Sequence, residues 1–192
     1  MGAALRDRLA GEAARAGLLD IAYWVLDSPI GPLLVAVSPD GLVRVAFERE
    51  GHDAVLAHLA AVLSPRILAW SPPTEEVARQ LEQYFAGQRR HFELALDLRL
   101  AHGFGRTVLS HLGDIGYGST ASYASVARAA GNPNAVRAVG SACSHNPIPV
   151  VVPCHRVVRS DGSLGGYLGG TEAKHTLLAL EGAPSAPGRF HS

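Results

Sequence analysis

The residues able to do covalent chemistry converge on one stretch, Pro149-Val150-Val151-Val152-Pro153-Cys154-His155-Arg156-Val157, where a cysteine stands between an apolar run and two basic side chains. A thiol attacks as thiolate, and a neighbouring imidazolium or guanidinium favours that form. Cys154 is therefore the first candidate nucleophile. Pro153 presets one backbone angle ahead of it, and residues 150–152 read as a short buried strand that would hold the backbone still. The competing reading is an inert core thiol after an apolar run, with His155 and Arg156 as surface charges closing a strand. These nine residues alone leave both readings open.

Metal chemistry is not expected. Cys143, His145, Cys154 and His155 are the only clustered ligand types, and adjacent Cys154 and His155 are poor co-ligands for one tetrahedral ion. Cys143 reads instead as a small apolar residue of a helix. Two cysteines without regular spacing form no disulfide framework, which suits a reducing, cytoplasmic compartment. No apolar run reaches the length of a membrane span, and residues 1–20 lack the apolar centre of a signal peptide, so no membrane partner is expected.

The 192 residues, 47% of them apolar, suffice for one large or two small cores. Net charge is zero but uneven: residues 1–100 hold 10 Lys and Arg against 13 Asp and Glu, a net of −3, and residues 101–192 hold 7 against 4, a net of +3. The basic half contains Cys154, a modest hint of contact with nucleic acid.

The elements that must position the cysteine divide near residue 100. Residues 1–20 read as a leader forming a short surface helix. Residues 21–47 show short apolar or alternating runs broken by Ser28-Pro29, Gly31-Pro32 and Ser38-Pro39-Asp40-Gly41, the pattern of an antiparallel sheet. Helical spacing follows over 53–63, and again from Thr74 to about residue 85. In the second half, residues 104–112 and 122–130 read as helices, the latter capped by Ser122. Gly131-Asn132-Pro133 forms a turn, and a third helix runs from Pro133 to about residue 145, with Pro133 in its first turn. Two helices around a short glycine-containing turn are a weak helix-turn-helix signal. The expected fold is mixed α/β (α+β): a scaffold domain over 21–99 with a small antiparallel sheet, a helical domain over 100–185 with the cysteine loop, and a tail over 186–192.

An ordered series of short motifs accompanies the cysteine: Arg137-Ala138-Val139-Gly140, Asn146-Pro147, Pro153-Cys154-His155-Arg156-Val157, Gly166-Tyr167, Gly169-Gly170, Lys174, Leu177-Leu178 and Glu181-Gly182. That series closely resembles the O6-alkylguanine-DNA alkyltransferases, also called methylated-DNA–protein-cysteine methyltransferases. The match is dense from Gly118 to Gly182 and thinner at Ser28-Pro29-Ile30-Gly31-Pro32-Leu33 and at Leu81, Tyr84, Phe85 and Gly87.

The resemblance implies direct-reversal DNA repair without a cofactor, in which the alkyl group of O6-methylguanine moves to Cys154 in a single turnover. The alkylated oxygen is out of reach inside a duplex, so the base must leave the stack. The family's pattern implies further roles. A water would join Cys154 to His155, with Glu181 orienting the imidazole, and Asn146 would tie the recognition helix to the cysteine segment. Tyr123 would act at the neighbouring phosphate and near guanine N3. The backbone carbonyls of Cys154 and Val157 would accept from the guanine amino group, Tyr167 would form a wall, and the backbone of Leu168 would reach the base oxygen. The third helix, with small residues Ala135, Ala138 and Gly140, would enter the minor groove and insert Arg137 into the gap.

Read without the family, Arg137 is a phosphate contact or a solvated charge, the small residues face a packed helix, and Glu181 is the solvated end of a helix. The implied partner is double-stranded DNA carrying O6-alkylguanine, with O4-alkylthymine as an open second substrate, bound by a monomer that acts alone or cooperatively. Two other classes remain, a base-binding module without transfer and a cysteine hydrolase. The chain departs from the family pattern at Ser110, Gly116, Ser144 and Leu168.

Overall fold

The computed structural model describes residues 3–183, which fall into two units divided between Asp97 and Leu98. The tail over 186–192 lies outside the described residues. In the first unit, helix α1 (Ala3–Arg15) precedes strands β1 (Ile21–Leu26), β2 (Leu33–Ser38) and β3 (Gly41–Phe47). These are joined as successive antiparallel pairs. The β1–β2 turn is held by Ser28, whose Oγ donates to the Gly31 carbonyl and accepts from the Ile30 N–H.

Helix α2 (His52–Val62), strand β4 (Ile67–Ala69) and helix α3 (Glu75–Phe85) complete the unit. Strand β4 is an addition to the expected antiparallel sheet of residues 21–47. It pairs parallel with β1, giving the sheet order β3-β2-β1-β4. Three residues are too short to announce themselves by alternation; β4 exists because β1 offers it an edge. Strand β2, inside the sheet, buries Leu33, Leu34, Val35, Ala36 and Val37 without alternation, as a strand covered on both faces does.

The second unit contains helices α4 (Gly103–Leu112), α5 (Tyr123–Ala129), α6 (Val136–Ser144) and α7 (Thr171–Leu180). Two-residue strands β5 (Ala121–Ser122) and β6 (Val157–Val158) pair parallel, with Ala121 opposite Val157 and Ser122 opposite Val158. Ser122 caps α5 by accepting from the Ser125 N–H at 3.1 Å.

Helix α5 ends in a Schellman motif: Asn132 N–H donates to the Ala127 carbonyl, Gly131 N–H to the Arg128 carbonyl, and Gly131 takes the required positive φ of 79°. The turn then runs longer than expected. Pro133 lies in it rather than in the first helical turn, and α6 starts at Val136 with Ala135 as its N-cap. Helix α6 buries Val139, Ala142 and Cys143, and Ala142 sits against Gly105 of α4, where a small pair lets two helix backbones approach.

Candidate active site

Residues 150–152 are not the expected strand. They form a turn in which Val150 holds φ at 73°, a left-handed conformation that costs a β-branched residue on the order of 1–3 kcal/mol. The turn is closed by Val152 N–H donating to the Ile148 carbonyl at 2.8 Å. Pro153, at φ −82° and ψ 60°, then makes an inverse γ-turn, with Cys154 N–H donating to the Val152 carbonyl at 2.8 Å. Residues 154–156 follow as one 3-10 turn rather than an extended segment. Two tight turns in a row give Cys154 its mount, and an apolar run between prolines resembles a strand until their dihedrals are known.

Asn146, fully buried just past α6, holds this mount. Its Nδ2 donates to the Val152 carbonyl at 2.9 Å and to Cys154 Sγ at 3.1 Å, and its Oδ1 accepts from the Ile148 N–H at 3.0 Å. The expected tie between helix and cysteine segment is present as geometry. The direct donor to sulfur is an addition, and it favours the anionic thiolate over the thiol. Burial acts more strongly in the other direction, pushing the Cys154 thiol up to about 11, with Asn146 and the Lys174 charge as the opposing influences. The expectation that Arg156 charge lowers the thiol is therefore corrected: at rest Cys154 is a thiol and needs a base.

The reason lies in where Arg156 points. Its Nε and Nη2 donate to the two carboxylate oxygens of Glu181, each at 2.9 Å, and its Nη1 donates to the Ile115 carbonyl. A bidentate guanidinium–carboxylate pair cancels most of its own field. Glu181, the buried C-cap of α7, also accepts from His155 Nε2 at 2.9 Å and from the Gly118 N–H at 3.3 Å. A carboxylate only accepts, so Nε2 carries the imidazole proton and Nδ1 is left as the basic nitrogen. That Nδ1 is buried and has no hydrogen-bond partner among the described residues. Burial holds the His155 pKa below its ordinary value, against the raising effect of Glu181. A neutral imidazole with a free lone pair is the form that can take a proton.

Lys174, on α7, stands in the sequence only as part of a motif and is fully buried. Its ammonium donates to the carbonyls of Val157 at 2.6 Å, Leu164, and Gly166 at 3.4 Å. It thus ties the end of β6 to the segment leading into Tyr167, whose ring meets the His155 ring edge-on with centroids 6.3 Å apart. Burial lowers its pKa to about 8. Spacing offered no signal for this role, since a lysine three residues into a helix reads as solvated.

Tyr123 is half-buried at the start of α5, between α6 and the same loop. A Cβ on Gly140 would lie 4.0 Å from its Cε1, and a Cβ on Gly165 only 3.1 Å from its hydroxyl. Gly140 is therefore a packing glycine, whereas Arg137 and Ala138 are exposed on α6 and Ala135 is half-buried at its start. Val157 is buried in β6 and Leu168 is half-buried in the loop. Cys154, His155, Glu181 and Asn146 are thus brought together, with Val157, Tyr167 and Tyr123 around them, and Arg137 stands outside that cluster. Ser110 and Ser144 each donate back to a carbonyl of their own helix. Among the described residues, no group of three or more His, Cys, Asp and Glu is placed to hold a metal ion.

A buried thiol with an amide donor, a carboxylate-oriented histidine and a helix-turn-helix in one unit define a thiol-transfer domain with a surface suited to nucleic acid. Residues 103–183 match the 6-O-methylguanine DNA methyltransferase DNA-binding domain, and residues 21–98 match the ribonuclease-like domain of the same family. The chain is 43% identical over 167 residues to the methylated-DNA–protein-cysteine methyltransferase of Mycolicibacterium paratuberculosis, covering 84% of this chain and 92% of that one. It is 39% identical over 161 residues to the one from Methanosarcina acetivorans, covering 84% and 98%. Among solved structures, a Mycobacterium tuberculosis OGT in complex with DNA superposes with a TM-score of 0.71 at 38% identity, covering 85% of this chain and 95% of that one. The chain belongs to the 6-O-methylguanine DNA methyltransferase family.

Proposed function

We propose that the protein repairs alkylated DNA by moving the methyl group of O6-methylguanine to Cys154, once per molecule. The observation that carries this reading is the chain Asn146–Cys154 and His155–Glu181: a thiol hydrogen-bonded at 3.1 Å and a histidine whose proton is committed to a carboxylate at 2.9 Å. His155 Nδ1 takes the thiol proton through a water, and the sulfur attacks the methyl carbon in line. The carbon–oxygen bond breaks, its electron pair goes to the guanine oxygen, and the guanine anion so formed regains through water the proton that His155 had taken, leaving S-methylcysteine, neutral guanine and neutral His155. A thioether offers no easy leaving route, so the protein is not regenerated. The chemistry asks for no cofactor.

Double-stranded DNA is the partner. Helix α6 lies in its minor groove through exposed Ala138 and the N-cap Ala135, with Gly140 keeping the helix close to Tyr123. Arg137 fills the stack after the base rotates out, and Tyr123 supports that rotation. The base is read by the carbonyls of Cys154 and Val157, the Tyr167 wall and the backbone at Leu168. Lys174 bonds the Val157 carbonyl, so that acceptor is held in place before the base arrives. The protein acts as a monomer in the cytoplasm. Among the described residues no helix is long and apolar enough to cross a membrane.

Intact mass after incubation with duplex O6-methylguanine DNA tests this reading. One methylene mass should appear per molecule, mapping to Cys154 and not to Cys143, whose thiol burial pushes up to about 12. Binding with no mass gain would indicate a base-binding module, and release of product over many turnovers a cysteine hydrolase. Label at Cys143 would overturn the assignment of the nucleophile.

A further inference from the structure

The seven cations of residues 101–192 are not equivalent. Arg156 and Lys174 are buried on internal acceptors, which removes them from any surface contact. Arg106, Arg128, Arg137 and Arg159 are the exposed ones among the described residues. Arg159 differs from the other three in that its charge acts on both Tyr123 and Lys174, which places it on the thiol side of the unit. The β5–β6 ladder pairs Ser122 with Val158, so the next position along the parallel register sets Arg159 beside Tyr123.

Its backbone is held at both ends: Arg159 N–H donates to the Ser163 carbonyl at 2.8 Å, and its carbonyl accepts from Gly162 N–H at 2.9 Å. The nearest acid in sequence, Asp161, is engaged by Ser163 through both its N–H, at 3.0 Å, and its hydroxyl, at 2.7 Å. Arg159 itself forms no ion pair among the described residues. The loop it opens meets one edge of the Tyr123 ring at Gly165, while α6, which carries Arg137, meets the opposite edge at Gly140. Asp161 feels the Arg159 charge but forms no ion pair with it, so a fixed backbone, an exposed guanidinium and a position beside Tyr123 together describe an anion contact.

We propose that Arg159 binds a DNA backbone phosphate flanking the nucleotide turned into the pocket, on the side of Tyr123 opposite to Arg137. This rests on the DNA-repair reading above. The contact is electrostatic and carries no sequence information, so it acts on affinity and on the lifetime of the rotated state rather than on bond transfer.

The test compares wild type, Arg159→Ala and Arg159→Lys on duplex O6-methylguanine DNA over a salt series, with free O6-benzylguanine as the substrate that has no phosphate. Arg159→Ala should weaken DNA binding by roughly 3- to 10-fold at low salt, and the slope of log affinity against log salt should fall by about one. Arg159→Lys should restore most of both, and the rate with O6-benzylguanine should not change. Placing a neutral methylphosphonate at the phosphates flanking the lesion should abolish the difference between wild type and Arg159→Ala. An unchanged salt slope, or a difference that survives the methylphosphonate, would overturn the proposal. Equal losses on DNA and on O6-benzylguanine would make Arg159 a loop-shaping residue and overturn it too. Failure of wild type to react with duplex DNA would instead sink the repair reading itself.

Discussion

The two units bury different things. The first is built around an apolar strand, β2, and its buried polar groups are small and locally tied. Thr74 donates to the Ser71 carbonyl, Gln80 exchanges two hydrogen bonds with the Glu93 backbone, and Asp97 accepts from Ser38. The second unit buries Asn146, His155, Arg156, Lys174 and Glu181 around one thiol. Each ion taken from water costs several kcal/mol, and apolar residues of the same volume are often more stable. A core that carries four ionisable side chains beside a thiol is a core shaped by chemistry. The first unit is a scaffold in which substitutions act on stability, whereas in the second stability and reactivity are joined.

Glu181→Gln tests that junction with the largest expected effect. It should slow transfer by roughly 10- to 1,000-fold through loss of His155 orientation. It should also destabilise the second unit by about 3–5 kcal/mol, because Arg156 is left buried without its carboxylate. Replacing both partners, Arg156→Met with Glu181→Leu, should recover much of the stability in urea unfolding and none of the rate. Recovery of the rate would show that the carboxylate acts only on folding.

Arg137→Ala comes next. As a wedge, Arg137 matters only where a base leaves a stack. Transfer from duplex DNA should therefore fall by one to three orders of magnitude, at about 1.4 kcal/mol per decade, while transfer from a single strand or from free O6-benzylguanine stays near wild type. Equal losses on paired and unpaired substrates would reduce Arg137 to a phosphate contact.

A pair of glycine substitutions compares the units directly. Gly41, at φ 131°, faces the Ala95 backbone, and Gly118, at φ 73°, would place a Cβ 2.8 Å from the Glu181 carbonyl oxygen. Each Ala variant should lose on the order of 1–3 kcal/mol from strained backbone alone. Gly41→Ala should lower the melting temperature and leave the rate per folded molecule unchanged. Gly118→Ala should lower both, because the obstructed oxygen belongs to the residue that orients His155.

The smallest effect is in the pH dependence of stability. The Lys174 ammonium loses its proton near 8 in the folded protein against 10.5 ordinarily. Above pH 8 the unfolded chain therefore binds more protons, and stability rises with pH. Both thiols act oppositely: they hold their protons to about 11 and 12 when folded against 9.0 ordinarily, so stability falls once pH passes 9. The urea midpoint should climb from about pH 8, turn over past 9, and lose its rising limb in Lys174→Met. A rising limb that persists in the variant would assign it to another group.

Much of the fold was legible because helices and caps are local. The spacing over 104–112, the Ser122 cap and Gly131 as the turn glycine each depend on a few neighbours in the chain. Errors fell where a local pattern was ambiguous or a partner distant. Residues 150–152 have the composition of a strand but the turn geometry that the flanking prolines impose. Pro133 suits a first helical turn but was placed before it by the Schellman cap. Strand β4 has no periodicity to read. Of the candidate site, Asn146, Cys154 and His155 lie within ten residues and announce themselves together.

By itself the sequence presented Cys154 as the candidate nucleophile, set its segment between prolines and identified the family to which the whole series belongs. Those depend on residue type and order, and backbone dihedral preferences act over two or three positions. The tertiary structure alone decided what the charges do. Arg156 stands two residues from Cys154, yet its field closes on Glu181, which is 25 residues further along the chain. Lys174 looks like a solvated helix residue and is buried on loop carbonyls. An electrostatic effect is set by distance through space and by the water removed around the group, and neither quantity is written in the order of the residues.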